Sequence, residues 1–426
     1  MSERTSSHRL AGVLPRRHAL LGGTTTAADV TAAIRKLASP RVLADGPSLG
    51  DFEGRFAAKV GARHAVTFGA GRVGLYGVLG CLGIGAGDDV LVPVPTHVVV
   101  PNAIRYRGAR PVYVDCDLSD YCIDLKQAEE RLTPRTRAVL VQHTFGIPAD
   151  MDGAVAFAGR HGLHLIEDCV HALGATFGGK QVGTFGRAAF FSTEETKTIS
   201  TTMGGVVTTD DDDLTDRLRE FQRTCQPPPA SQAARYLLKL IVYYALTEPR
   251  AHVLARAAYE LGGCRHPLPR PTDSAELRGE RPPGYTRRLS NGQAAVGLTQ
   301  LATLAENLAH RRRIALRYRS LLAPHGFVLP EPAPAAAPAY VRYPVWVADR
   351  QAAERAMGTR AVLGTWFTSV LEEAADPRFC GYVPGSCPNA ERAARHLVNL
   401  PTHGRVTDRD ADEIAARIIS LNDAGV

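Results

Sequence analysis

Between about residue 50 and residue 210, short apolar runs alternate with longer segments whose apolar positions recur at helical spacing. The runs Val90–Pro93, Pro111–Val114, Ala138–Gln142, Leu163–Glu167, Ala188–Phe191 and Val206–Thr208 predict strands. Arg72–Leu82, Thr96–Arg107, Leu125–Leu132, Gly153–Arg160 and Leu214–Thr224 predict helices. Apolar strands alternating with helices in this rhythm predict an α/β domain whose mostly parallel sheet is flanked by helices on both faces. The pattern changes at residue 226. Pro227-Pro228-Pro229 precede an apolar helical pattern from Ala233 to about Leu261, and the Pro-, Arg- and Gly-rich stretch from Cys264 to Gly284 predicts a long surface loop or a segment ordered by a partner. A long helix is expected from about Gly292 to Leu322, with Val296, Leu298, Leu301 and Leu304 on its apolar face. After a Pro/Ala-rich linker, 330–338, strand and helix alternate again and predict a small C-terminal α+β domain. The chain therefore divides into an N-terminal arm (1–37), a large domain (38–285, with 226–285 a divergent insert) and a long helix with the small domain (286–426).

Composition narrows the class. The chain has 426 residues, 45% hydrophobic and 22% charged, enough to bury a large core and unlike a disordered protein. Its net charge of +7 suits an anionic ligand. Part of the excess sits in the arm (Arg4, Arg9, Arg16, Arg17), and no Lys/Arg run with interleaved aromatics occurs elsewhere, which argues against nucleic-acid binding. None of the eight cysteines forms a pair at zinc or redox spacing, so no metal site is expected and the thiols fit a reduced, cytoplasmic protein. Arg16-Arg17 resembles the start of a twin-arginine signal, but the residues from Gly22 to Asp29 are polar where an apolar segment is required. The longest apolar run, Leu237 to Leu246, is interrupted by Lys239 and is too short to span a membrane.

Three features carry candidate chemistry. The apolar strand Leu163–Ile166 ends in Glu167-Asp168, and ligands in open α/β sheets bind beyond the carboxyl ends of strands. Lys197 follows a predicted strand in the polar loop Ser192–Thr196, ahead of Gly204-Gly205. Alone, Asp168 fits a turn and Lys197 a solvated loop. Together they suit a pyridoxal-phosphate (PLP) site, where a lysine forms an imine with the cofactor and a carboxylate keeps the pyridine nitrogen protonated. The turn Thr67-Phe68-Gly69-Ala70-Gly71-Arg72 leads into a predicted helix, a place where backbone N–H groups bind phosphate. Ser192 and Arg72 would add a hydroxyl and a charge.

In order along the chain, from about residue 38 to 420, stand Gly61-Ala62-Arg63-His64-Ala65-Val66, Gly85-Ala86-Gly87-Asp88-Asp89-Val90, His143 with Gly146–Asp152, Glu167-Asp168-Cys169-Val170-His171-Ala172-Leu173-Gly174, Gly183-Thr184-Phe185-Gly186, Gln293-Ala294-Ala295-Val296-Gly297-Leu298 and Asn399-Leu400-Pro401. With these segments the sequence resembles the DegT–DnrJ–StrS group of PLP-dependent sugar aminotransferases, of PLP fold type I. The resemblance implies that Lys197 holds PLP as a Schiff base, that Asp168 pairs with the pyridine nitrogen, that His171 lies beside the ring hydroxyl and that Ser192 helps hold the phosphate. It also implies a homodimer with sites between subunits, in which Arg288 reaches a neighbour's phosphate. Four positions depart from the family pattern: Arg72 follows Ala70-Gly71, His97 stands where an aromatic stacks on the ring, Thr202-Met203 precede the glycine pair, and Thr286-Arg287-Arg288 replaces an Asn-x-Arg run.

The implied reaction moves an amino group from an amino acid, glutamate or glutamine, to a keto-sugar or keto-cyclitol, the sugar nucleotide-linked. Another PLP reaction on the same scaffold (dehydration or carbon–carbon bond formation) and a non-catalytic PLP-binding regulator remain alternatives; Lys197 favours transamination.

Overall fold

The strands predicted from apolar runs assemble into one seven-stranded sheet. In the computed structural model, which describes residues 16–20, 23–253, 272–358, 360–364 and 366–423, these strands are β1 (His64–Phe68), β2 (Asp89–Pro93), β3 (Arg110–Val114), β4 (Thr136–Gln142), β5 (His164–Asp168), β6 (Ala188–Ser192) and β7 (Gly205–Thr209). Their spatial order is β1-β7-β6-β5-β4-β2-β3. All neighbours from β6 to β3 run parallel, and β7 alone runs against the rest. All five residues of β2 are buried, as expected of a strand covered on both faces. Six strands therefore end at one edge, where β7 begins, and loops leaving that edge can converge.

Local chemistry sets the helix ends. Helices α1 (Ala27–Leu37), α2 (Ser48–Val60), α3 (Gly71–Cys81), α4 (Val99–Tyr106), α5 (Leu125–Glu130), α6 (Met151–His161) and α7 (Asp212–Thr224) accompany the sheet. Asp150 accepts from the amide of Gly153 to start α6, and Gly162 ends it in the left-handed conformation. Val66, Phe68, Val78, Leu79 and Val207 pack α3 on one face of the sheet, while Val139, Val141, Met151 and Phe157 pack α6 on the other.

Several expectations change. Residues 27–37, assigned to an arm, form a helix with a Thr26/Asp29 capping box that packs against α8 (Ala230–Leu246). β1 was absent from the predicted set. Its five residues show little alternation, and its pairing with β7 is non-local. The segment 272–285 is not simply a surface loop: α9 (Ser274–Leu277) buries Glu276 completely. The predicted extension to Leu261 and the start of the loop at Cys264 lie outside the described residues. The long helix is two, α10 (Asn291–Ala302) and α11 (Leu304–Leu322). They part at Thr303, whose hydroxyl bonds the Gln300 carbonyl and whose ψ of 9° leaves the helical range.

The small domain follows the prediction. Strands β8 (Arg342–Trp346) and β9 (Leu397–Pro401) pair antiparallel, and with α11, α12 (Arg350–Met357), α13 (Pro388–His396) and α14 (Asp408–Asp423) they make an α+β layer. Tyr318, Tyr343, Val345, Leu400, Ile414 and Ile418 form its core.

Candidate active site

The carboxyl edge of the sheet opens into a cavity of about 330 Å³, within the range of small-molecule sites. Gly71, at the first turn of α3, forms part of its wall together with Ser192 at the end of β6 and Asp168 at the end of β5. Glycines let the backbone close here. A Cβ on Gly205 would collide with the Ala70–Gly71 peptide, and one on Gly71 would lie 3.0 Å from the Phe191 carbonyl. Glu167, beside Asp168, faces away and locks the strand end. Its carboxylate accepts from the amides of Gly183, Phe185 and Gly186 and lies 3.3 Å from His143 Nε2. With Cys169 these two residues are close enough to share a metal ion, but the carboxylate oxygens are already taken by these donors.

Lys197 is held by its backbone while its side chain turns into the cavity. Thr24 Oγ1 donates to the Lys197 carbonyl (3.2 Å), Asn307 Nδ2 to the Thr198 carbonyl (2.7 Å), and Ser200 N to Gln300 Oε1 (2.8 Å). Gln293, whose backbone N–H meets the Ser290 cap of α10, donates from Nε2 to the Thr201 carbonyl (3.0 Å). Burial depresses the Lys197 amine to about 8, partly offset by the negative charge of Glu194. Burial pushes the Asp168 carboxyl up to about 7, against the pull of the Val170 amide and the Lys197 charge. Asp168 Oδ1 accepts from that amide (3.1 Å), whereas Oδ2 is buried without a hydrogen-bond partner among the described residues. An orphaned carboxylate oxygen aimed into a cavity beside a depressed lysine marks a cofactor site.

The sequence pattern of the DegT/DnrJ/EryC1/StrS aminotransferase family matches residues 24–419. The chain is a member of that family. GDP-perosamine synthase of Caulobacter vibrioides is 30% identical to it over 376 residues, 86% of this chain and 88% of the relative. The spore coat polysaccharide biosynthesis protein SpsC of Bacillus subtilis is 30% identical over 381 residues, covering 87% and 89%. Among solved structures, DesV of S. venezuelae, in complex with a ketimine intermediate, superposes with a TM-score of 0.73 at 30% identity, covering 93% of this chain and 94% of its own. Like its relatives, this family member is a PLP-dependent aminotransferase of fold type I.

Its residues fit PLP. Asp168 Oδ2 is placed to take a proton-bearing ring nitrogen, His171 Nδ1 is a second buried, unpartnered atom in the same wall, and Gly71 with Ser192 offers a phosphate turn. Burial holds His171 well below the usual histidine range, so its imidazole is neutral. Bound there, PLP supplies an aldehyde that captures amines and a ring that accepts the electrons of the bond being broken.

The structure brings Lys197, Asp168, His171, Ser192, Gly71, Arg72 and His97 to one cavity. Two of the predicted residues are engaged differently from expectation. Arg72 has its Nε 2.8 Å from Glu276 Oε1 and is ion-paired within its own chain. Arg288 is outside this cavity, in a separate hollow with Glu53, Thr67 and Gln222, as would suit a residue serving a neighbour's site. His97 Nδ1 accepts from the Val99 amide (3.3 Å), and its Nε2 lies 3.3 Å from Glu373 Oε2. Four wall residues escaped the sequence reading: Gln142, Arg342, Trp366 and Glu373. Gln142 ends a predicted strand, as Asp168 does, so its position was a usable signal. The other three come from the small domain, and no local spacing relates them to Lys197.

Proposed function

We propose that this aminotransferase moves an amino group from an amino acid, glutamate or glutamine, to the keto group of a nucleotide-linked sugar, as a homodimer in the cytoplasm. The observation that carries the site assignment is the buried, unpartnered Oδ2 of Asp168 in the cavity that also holds Lys197. The sugar acceptor is supported by the named activities of the relatives, GDP-perosamine synthase and the polysaccharide-biosynthesis protein SpsC. Net positive charge suits a diphosphate-bearing acceptor. Among the described residues no helix is long and apolar enough to cross a membrane.

Each residue has a role in this reading. Lys197 Nζ bonds the cofactor, is displaced by the donor amine, and then moves the proton at the donor's α-carbon; an amine near pH 8 suits that exchange. Asp168 keeps the ring nitrogen protonated. His171 meets the ring hydroxyl, and His97 stacks on the ring. Gly71 and Ser192 hold the phosphate, and Arg288 holds that of the neighbouring subunit. Arg72 contributes by closing the phosphate end of the cavity through its pair with Glu276.

The test is direct. Purified protein should absorb in the near-ultraviolet to blue, and Lys197→Ala should lose that band. L-glutamate should then shift the spectrum toward pyridoxamine phosphate, and a panel of keto-sugars read by mass spectrometry should yield one aminated product. An unchanged Lys197→Ala spectrum removes Lys197 from its role. A shift with another amino acid and none with glutamate or glutamine overturns the donor. Light scattering at twice the chain mass checks the dimer.

A further inference from the structure

Buried guanidinium groups are normally saturated with acceptors, because five N–H donors taken from water cost heavily if left unmade. Arg311 obeys this. It donates to Asn307 Oδ1, the Val341 carbonyl, Thr402 Oγ1 and Thr24 Oγ1, all between 2.8 and 3.2 Å. Arg342 does not. Its residue is 5% exposed, it lines the cavity with Lys197 and Asp168, and among the described residues neither a hydrogen-bond acceptor nor an ion-pair partner meets its guanidinium. The acids that influence it, Glu194 and Glu372, are committed elsewhere. Glu194 Oε2 accepts from the amide and hydroxyl of Thr196, and the Glu372 carboxylate accepts from the amide and hydroxyl of Thr368.

The fold makes room for this cation. Arg342 opens β8, which pairs with β9, and its Nη1 fills the space that a Cβ on Gly364 would occupy. The guanidinium carbon lies 4.2 Å from the ring centre of Trp366, and Lys197 Nζ lies 4.0 Å from the same ring centre. An aromatic face stabilises a guanidinium but leaves its in-plane N–H fork open, the geometry that takes a carboxylate with two parallel hydrogen bonds. An α-amino acid carries its carboxylate on the carbon that bears the amine. Whatever delivers an amine to Lys197 therefore brings a carboxylate into the neighbourhood of the ring that Arg342 covers.

We propose that Arg342 binds the α-carboxylate of the amino donor and so fixes the donor's reacting carbon against Lys197. The inference rests on the reading of this cavity as the transamination site. It assigns the donor end of that cavity to the small domain, while the phosphate end belongs to α3 and β6. A carboxylate bound there completes the fork of Arg342. The acceptor, which needs no carboxylate, is left to other walls of the site.

The experiment compares the PLP-loaded protein with its Arg342→Ala and Arg342→Lys variants. L-glutamate is titrated while the cofactor's absorbance is followed. Glutarate, a dicarboxylate that cannot transaminate, is titrated against tryptophan fluorescence with and without cofactor, and GDP binding is measured by calorimetry. Loss of charge-assisted hydrogen bonds predicts half-saturating glutamate raised by roughly 10- to 100-fold in Arg342→Ala. Glutarate should weaken in parallel, Arg342→Lys should fall between, and the cofactor band and GDP affinity should match the parent. Should Arg342→Ala not fold, the Lys variant decides, since it keeps the charge but loses the fork. Parental glutamate and glutarate affinities in the folded variants overturn the proposal, as does a loss confined to GDP, which would place the acceptor's phosphates on Arg342. A parent protein that binds PLP yet responds to no amino acid overturns the transaminase reading itself, and the proposal with it.

Discussion

Asp168 shows how one residue's burial sets both chemistry and stability. Its carboxyl titrates near 7 in the folded, cofactor-free protein against about 3.8 when exposed, because burial disfavours the anion. A raised carboxyl means that the folded state holds its proton longer than the unfolded chain does. The contribution of Asp168 to stability is therefore fully present below about pH 4 and is lost as pH rises to 7. Asp168→Asn carries no charge to desolvate. In the cofactor-free protein its melting temperature relative to the parent should rise from pH 4 to pH 7 and level off above, as scanning calorimetry would show. A constant difference across that window would mean that Asp168 does not titrate there. In the loaded enzyme the same variant should lose donor turnover by several orders of magnitude, since an amide cannot hold the ring proton.

At the scale of elements, the phosphate turn depends on how closely β7 approaches the start of α3. Gly205 opens β7, pairing with Phe68 and Ser192, and has no space for a side chain beside the Ala70–Gly71 peptide. Gly205→Ala should force that turn outward and weaken PLP binding at least tenfold by equilibrium dialysis, because misdirected N–H groups lose their phosphate. A parental dissociation constant would show that the turn does not carry the phosphate. The Gly204-Gly205 pair was visible in the sequence as a feature near Lys197, but its partner at Ala70 was not. The break at Thr303 was equally hidden. The apolar stripe Val296, Leu298, Leu301 and Leu304 continues through it, and only the hydroxyl's bond to Gln300 and the packing of both helices reveal two elements.

Across the whole molecule, the insert is tied to the cavity rather than hung outside it. Lys239 of α8 pairs with Glu195, Thr202 Oγ1 donates to the Tyr236 carbonyl (3.1 Å), and Glu276 of α9 pairs with Arg72. Tyr243 and Thr272 complete that wall. Glu276 is fully buried, and removing one member of a buried ion pair costs about 3 kcal/mol or more by stranding the other. Glu276→Gln should thus lower the melting temperature by several degrees while PLP still binds. A neutral substitution would mean that the insert closes the site by shape alone.

What the sequence determined by itself is local: the alternation of apolar runs that makes the sheet, the carboxylate at a strand end, the lysine loop and the glycine turn. Each is written within one strand-and-loop unit, so the motif order identified the family and the cofactor site. What only the tertiary structure decided is the far wall. Arg342, Trp366 and Glu373 lie well over a hundred positions after Lys197 and reach it because the small domain folds back across the sheet edge. The same folding pairs Arg72 with Glu276, which no periodicity relates. Side chains that meet through domain packing leave no mark on local pattern, since each is compatible with its own strand or loop whatever stands opposite.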